Sequence, residues 1–60
     1  MNITEEQVLS AMQTYGGGFV KQLARLYTLA DPINRAKLRK CFQTEWKHYH
    51  ELAELKAITQ

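Results

Sequence analysis

One cysteine, one proline and no long apolar run set the first limits on this 60-residue chain. With Cys41 alone, no internal disulfide can form, and an unpaired thiol fits a reducing compartment. No stretch approaches the roughly 18 to 20 consecutive apolar residues that span a bilayer. The start, Met1-Asn2-Ile3-Thr4-Glu5-Glu6, is acidic and lacks the basic and apolar regions of a secretion signal. A cytoplasmic protein is therefore expected. Catalytic fingerprints are missing too: no carboxylate pair or serine triad can be assembled, and no P-loop follows a strand. Six acids and two histidines in so thin a domain leave little room for a water-excluding pocket. Neither an enzyme nor a cofactor is expected.

Size sets a further limit. A single domain of this length buries only about 60% of its unfolded surface. Natural proteins of this kind add a disulfide, a metal, a partner subunit or very tight helix packing. A metal is poorly supplied. His48 and His50 are one residue apart and diverge on a helix, whereas Cys41, Glu45 and His48 fall at i, i+4 and i+7. That trio lacks the fourth ligand of a closed zinc site, so no metal site is expected. Cys41 then reads as a small buried apolar residue. Association is the remaining support, and a homodimer is expected.

What is present is helical signal. Thr4 is a good N-cap with Gln7 three residues on, a capping box, and Ile3 and Val8 sit where a hydrophobic staple would close. Glu5 and Glu6 lie in the first turn, where the helix dipole favours anions. Val8, Ala11, Met12 and Tyr15 form one apolar face, predicting a helix over about 4–15. Gly16-Gly17-Gly18 ends it, since glycine readily takes the left-handed conformation after a helix. Its other reading, a phosphate-binding turn at a helix start, lacks the surrounding motif. A second helix follows over about 18–30. Phe19, Leu23, Leu26, Tyr27 and Ala30 share its face, with Val20 and Ala24 beside them.

Asp31-Pro32 stops that helix and caps a third, because proline fits the first helical turn and forces its predecessor out of the α region. Along one continuous helix Leu38, Cys41, Phe42, Tyr49, Leu52 and Ala53 gather on one side, with Trp46 at its edge and Glu45 in the middle. Two arrangements resolve that conflict. Either the helix runs on and Glu45 is partly covered, or it breaks near Gln43-Thr44 and restarts with Thr44 as N-cap. The second suits so small a domain better. The expected fold is all-α: a single domain, residues 1–60, of helices at about 4–15, 18–30, 32–42 and 44–57, the last two continuous in the alternative.

Charge is unevenly spread although the net is only +2. Residues 1–20 carry −2 and residues 21–48 carry +5, from Lys21, Arg25, Arg35, Lys37, Arg39, Lys40 and Lys47 against Asp31 and Glu45. Such a segment can be an ordinary solvated surface or can meet an acidic partner. The order of parts from Val20 to Phe42 also matches a helix-turn-helix. Against that, the turn lacks glycine, and Asp31-Pro32 makes a capped restart instead of a tight bend.

Tyr15-Gly16-Gly17-Gly18-Phe19-Val20, Leu23-Ala24, Ala30-Asp31-Pro32, Asn34-Arg35 and Leu38…Phe42…Trp46…Tyr49, taken together, resemble small uncharacterised helical proteins encoded by phages and prophages. The resemblance covers roughly residues 15–49 and carries no functional residues. It implies a setting, the cytoplasm of a bacterial host, and a host or phage protein as target.

The six aromatics supply the last clue. Phe19 and Phe42 are expected in the core, whereas Trp46 and Tyr49 would outrun two short helices if the third helix continued past Gln43. Both types are enriched at interface hot spots. The expected function is a small protein-interaction module whose interface holds Trp46, Tyr49 and Leu52, with a host or phage protein as target. The alternative is a nucleic-acid-binding protein using Arg35, Arg39, Lys40 and Lys47 on phosphates. No membrane partner is expected.

Overall fold

The computed structural model describes residues 2–59 and consists, over those residues, of four helices and no strand: α1 (Glu5–Tyr15), α2 (Gly18–Leu29), α3 (Pro32–Cys41) and α4 (Gln43–Thr59). The all-α reading of the sequence is correct, and all four starts lie within a residue of those expected. Local chemistry explains two of them. At α1 the Thr4 hydroxyl accepts the Gln7 amide N–H at 3.2 Å, and the Gln7 side chain accepts the Thr4 N–H at 2.8 Å. Both partners of the capping box are thus made. At α3 the Asp31 carboxylate accepts the Asn34 N–H at 2.8 Å, with Pro32 in the first turn.

The glycine corner works differently from expectation. None of the glycines has a positive φ among the described residues. Gly16 is extended (φ −76°, ψ 155°) and its N–H closes α1 on the Met12 carbonyl at 2.9 Å. What glycine supplies here is space. A Cβ on Gly16 would lie 2.5 Å from the Met12 carbonyl oxygen and 2.5 Å from Val20 Cγ1, whereas Gly17 and Gly18 have nothing within 4 Å of that position. The chain turns so tightly at Gly16 that α2 packs back on α1.

The joint between α3 and α4 lies at Phe42 (φ −118°, ψ 37°), one to two residues before the expected break. Its N–H donates to the Leu38 carbonyl at 2.8 Å and its carbonyl accepts the Trp46 N–H at 3.0 Å, so one residue ends one helix and opens the next. Thr44 therefore lies inside α4 and is not its cap. Glu45 falls in the first turn of α4, where the dipole favours a carboxylate, and is only half-buried.

The joint returns α4 to α1, its principal packing partner, while α2 lies against α1 and α3 links α2 to α4. Val8, Met12, Leu23 and Ala24 form the buried centre, joined by Ala11, Tyr27 and Ala53. Small residues sit where helices approach: Ala24 is fully covered, and Ala11 and Ala53 line the same α1–α4 groove. On α2 the buried set is Leu23, Ala24 and Tyr27 with Val20 half-buried, a face turned away from the one expected. Phe19, expected in the core, is 63% exposed and only leans on Phe42 at 5.8 Å. Leu26 and Tyr15 are also exposed, as is Cys41, which was expected to be buried. The domain measures 32 × 24 × 18 Å. Its thin dimension is less than two helix diameters of about 10–12 Å, so few side chains can be enclosed.

Candidate protein interface

Trp46, Tyr49 and Leu52 all lie on α4, and all are half-buried. Because α4 turns back at Phe42, Trp46 and Tyr49 pack against this chain's own core. The Trp46 ring lies 4.9 Å from that of Tyr27 at 37°, with the Arg39 guanidinium 5.0 Å from its centroid. Tyr49 meets the edge of His48 at 4.9 Å. The expectation that these aromatics would need outside cover depended on a continuous third helix, and that helix breaks.

The four basic residues nominated for phosphates divide in two. Arg35 is half-buried: Nε donates to the Tyr27 carbonyl at 3.2 Å, Nη2 donates to the Thr28 carbonyl at 3.3 Å, and its Cζ lies 5.5 Å from the Tyr27 ring centroid. It thus serves as a cationic cap on the C-terminus of α2, where the dipole is negative. Arg39 lies over Trp46. Lys40 and Lys47 are exposed on α3 and α4 respectively.

Tyr27 is the centre of this cluster. It is 4% exposed, touches Trp46 and Arg35, and donates its hydroxyl to the Glu5 carboxylate across the α1–α2 pair. Burial, and then the bond to Glu5, push its phenol above the ordinary value of 10.0. The folded state thus favours the protonated ring. Its contribution is complete below the unfolded value and is lost as pH rises through the higher folded one. We expect alkaline unfolding monitored by circular dichroism to contain a component that Tyr27→Phe removes. An unchanged alkaline profile in that variant would refute it.

Residues that the sequence did not nominate as an interface form a second surface. Leu26, Leu29, Ala30, Asn34, Lys37, Leu38 and Cys41 line a groove of about 330 Å³ between α2 and α3. Leu29 is 77% exposed, and Ile33 on α3 is 70% exposed. A signal for this was present in α2. At 100° per residue, Phe19, Val20, Leu23, Ala24, Leu26, Tyr27, Leu29 and Ala30 cover an arc of about 220°, far wider than the roughly 100° stripe that one core face requires. Half of that arc meets α1 and α4; the other half, carrying Leu26 and Leu29, is left at the surface.

Two other spaces are smaller. The gap among Met12, Leu23, Tyr27, Leu38, Arg39, Phe42 and Trp46 is only about 10 Å³, the space of about one water. A groove of about 290 Å³ between α1 and α4 is lined by Gln7, Ser10, Thr14 and alanines, with Lys56 near the Tyr15 ring. Among the described residues no three of His, Cys, Asp or Glu gather as metal ligands would. Cys41 ends α3 while Glu45 and His48 lie on α4, so the helical spacing that aligned them in sequence is interrupted. No helix among these residues is long and apolar enough to cross a membrane. Compared with protein-family models, curated proteins and solved structures, the chain matches none of them.

Proposed function

We propose that this chain is a small protein-interaction module that acts by binding, without catalysis. The observation that carries the reading is the α2–α3 groove, where leucines stand at the surface of a domain that has few enough to bury. Contiguous exposed apolar surface is the mark of an interaction site. The fold supplies a rigid platform for it: α2 is held by its buried face on α1, and Arg35 ties α3 to the end of α2. The resemblance to phage and prophage proteins supports a host or phage protein as the partner. The basic character of α2 and α3 supports a second reading, nucleic-acid binding, in which Lys40 and Lys47 would meet phosphates.

Two measurements separate these readings. The first captures partners from bacterial lysate on the wild-type chain and on Leu29→Asp, a change at an exposed position, with the variant's folding checked by circular dichroism. A stoichiometric protein partner retained by the wild type and lost by the variant is expected. The second is a gel shift with duplex and single-stranded DNA and with RNA across a salt series. Phosphate contacts release counterions, so nucleic-acid binding falls steeply with salt. Nucleic-acid retention of that kind, with protein capture indifferent to Leu29→Asp, would replace the first reading by the second.

A further inference from the structure

The charges around the α2–α3 groove point to the chemistry of its occupant. We infer that the groove takes an amphipathic α-helix with acidic flanks, an inference that rests on the protein-interaction reading and names its partner class. The groove lies between two helices, and among the described residues there is no sheet edge to which an extended peptide could add. The walls hold no aromatic ring of the kind that grips a polyproline segment, and an apolar groove between two helices fits a helix laid along it, with anchors at i, i+3 or i+4, and i+7. Leu26 and Leu29 of α2, with Ala30 at its C-cap, form one wall; on α3, Leu38 and Cys41 form the other, one turn apart. Neither wall carries an aromatic ring on which a base would stack, which disfavours single-stranded nucleic acid.

The rim decides the sign of the flanks. Lys37 lines the groove, and Arg25 and Lys40 are exposed one turn away from Leu29 and Lys37 respectively. From Gly18 to Cys41 the chain carries Lys21, Arg25, Arg35, Lys37, Arg39 and Lys40 against a single acid, Asp31, which is engaged as the cap of α3. The remaining acids lie on α1 and α4, with Glu5 held by Tyr27 and Glu54 set 3.1 Å from His50. A second copy of this chain is a poor occupant. A two-fold interface places the same patch on both sides, so the basic rim with Arg25, Lys37 and Lys40 would be brought up to the same basic rim of the other copy. Like charges brought together at an interface oppose it, whereas acidic flanks are drawn in.

The test uses designed helical peptides and the 60-residue chain. One peptide carries leucine anchors at helical spacing with glutamate flanks; a second keeps the leucines and replaces the glutamates by lysine. Binding is measured by calorimetry, with the site read from amide shifts in NMR. The acidic peptide is expected to shift the amides of α2 and α3 and to bind at least about tenfold more tightly than the lysine peptide, about 1.4 kcal/mol. Its affinity should fall with salt, and Leu29→Asp should abolish it. Lys37→Glu combined with Lys40→Glu, both at exposed positions, should reverse the preference between the peptides. Equal binding of the two peptides would overturn the acidic flank while leaving the interaction module standing. Self-association through the same amides, with no peptide binding, would overturn the inference in favour of a second copy. Binding of neither peptide by a monomeric chain overturns it outright, and the capture experiment then decides the module reading by itself.

Discussion

Gly16→Ala should destabilise the domain by about 1–3 kcal/mol, the usual cost of overpacking a closed site, and near the upper end of that range. The reason is the identity of the clashing atoms. A methyl group at this position meets the Met12 carbonyl oxygen at 2.5 Å, and that oxygen is backbone, fixed by the hydrogen bond it accepts from Gly16 itself. Val20 Cγ1, also at 2.5 Å, belongs to a half-buried side chain packed on the core. Adding Val20→Ala should therefore restore only part of the loss. Gly18→Ala is the control: nothing lies near its Cβ position, φ is not positive, and the substitution should add about 0.4–1 kcal/mol by restricting the unfolded chain. In a domain of this size each kcal/mol moves the melting temperature by about 4–8 °C, so thermal unfolding resolves the contrast. Similar behaviour of the two alanine variants would mean that the corner relaxes freely and that close approach does not govern it.

Tyr27→Ala should have the larger effect, about 3–5 kcal/mol by analogy with other buried aromatic truncations. Net stability at this size is rarely above about 3–5 kcal/mol, so the variant should be largely unfolded at room temperature. The loss is large because four interactions converge on one side chain: packing under α1, the ring of Trp46, the guanidinium of Arg35 and the carboxylate of Glu5. Tyr27→Phe keeps the first three and should lose only about 0.5–1.5 kcal/mol for the hydrogen bond. Circular dichroism under urea separates these outcomes. If the alanine variant lost no more than the phenylalanine variant, the ring would contribute nothing beyond its hydroxyl.

Both predictions concern positions whose type was visible in the sequence but whose task was not. The glycine run announced a corner, yet only the close approach of the Met12 carbonyl and of Val20 to where a Cβ would stand made Gly16 different from its two neighbours. Tyr27 was assigned to an apolar face, but its partners come from α1, α3 and α4. For α2 the sequence offered more apolar residues than one face can hold, and periodicity alone does not say which half is covered. Phe19 and Leu26 were expected inside and stand outside, because the close approach at Ala24 and the tight corner rotate the helix onto its Leu23–Tyr27 side.

The same division runs through the whole chain, with its one cysteine and no cofactor motif. Sequence by itself determined the helical class, the capped starts at Thr4 and Asp31 and the uneven charge, since each follows from neighbours within a turn or two. Tertiary structure alone decided where the chain bends at Phe42, that Trp46 and Tyr49 find cover on their own core, and that Leu26 and Leu29 do not. Those outcomes depend on competition among apolar surfaces too numerous for the seven buried hydrophobic positions among the described residues. In a domain 18 Å thick some of them must remain at the surface. Which ones remain is settled by how closely the helices can approach at Gly16, Ala24 and Ala53.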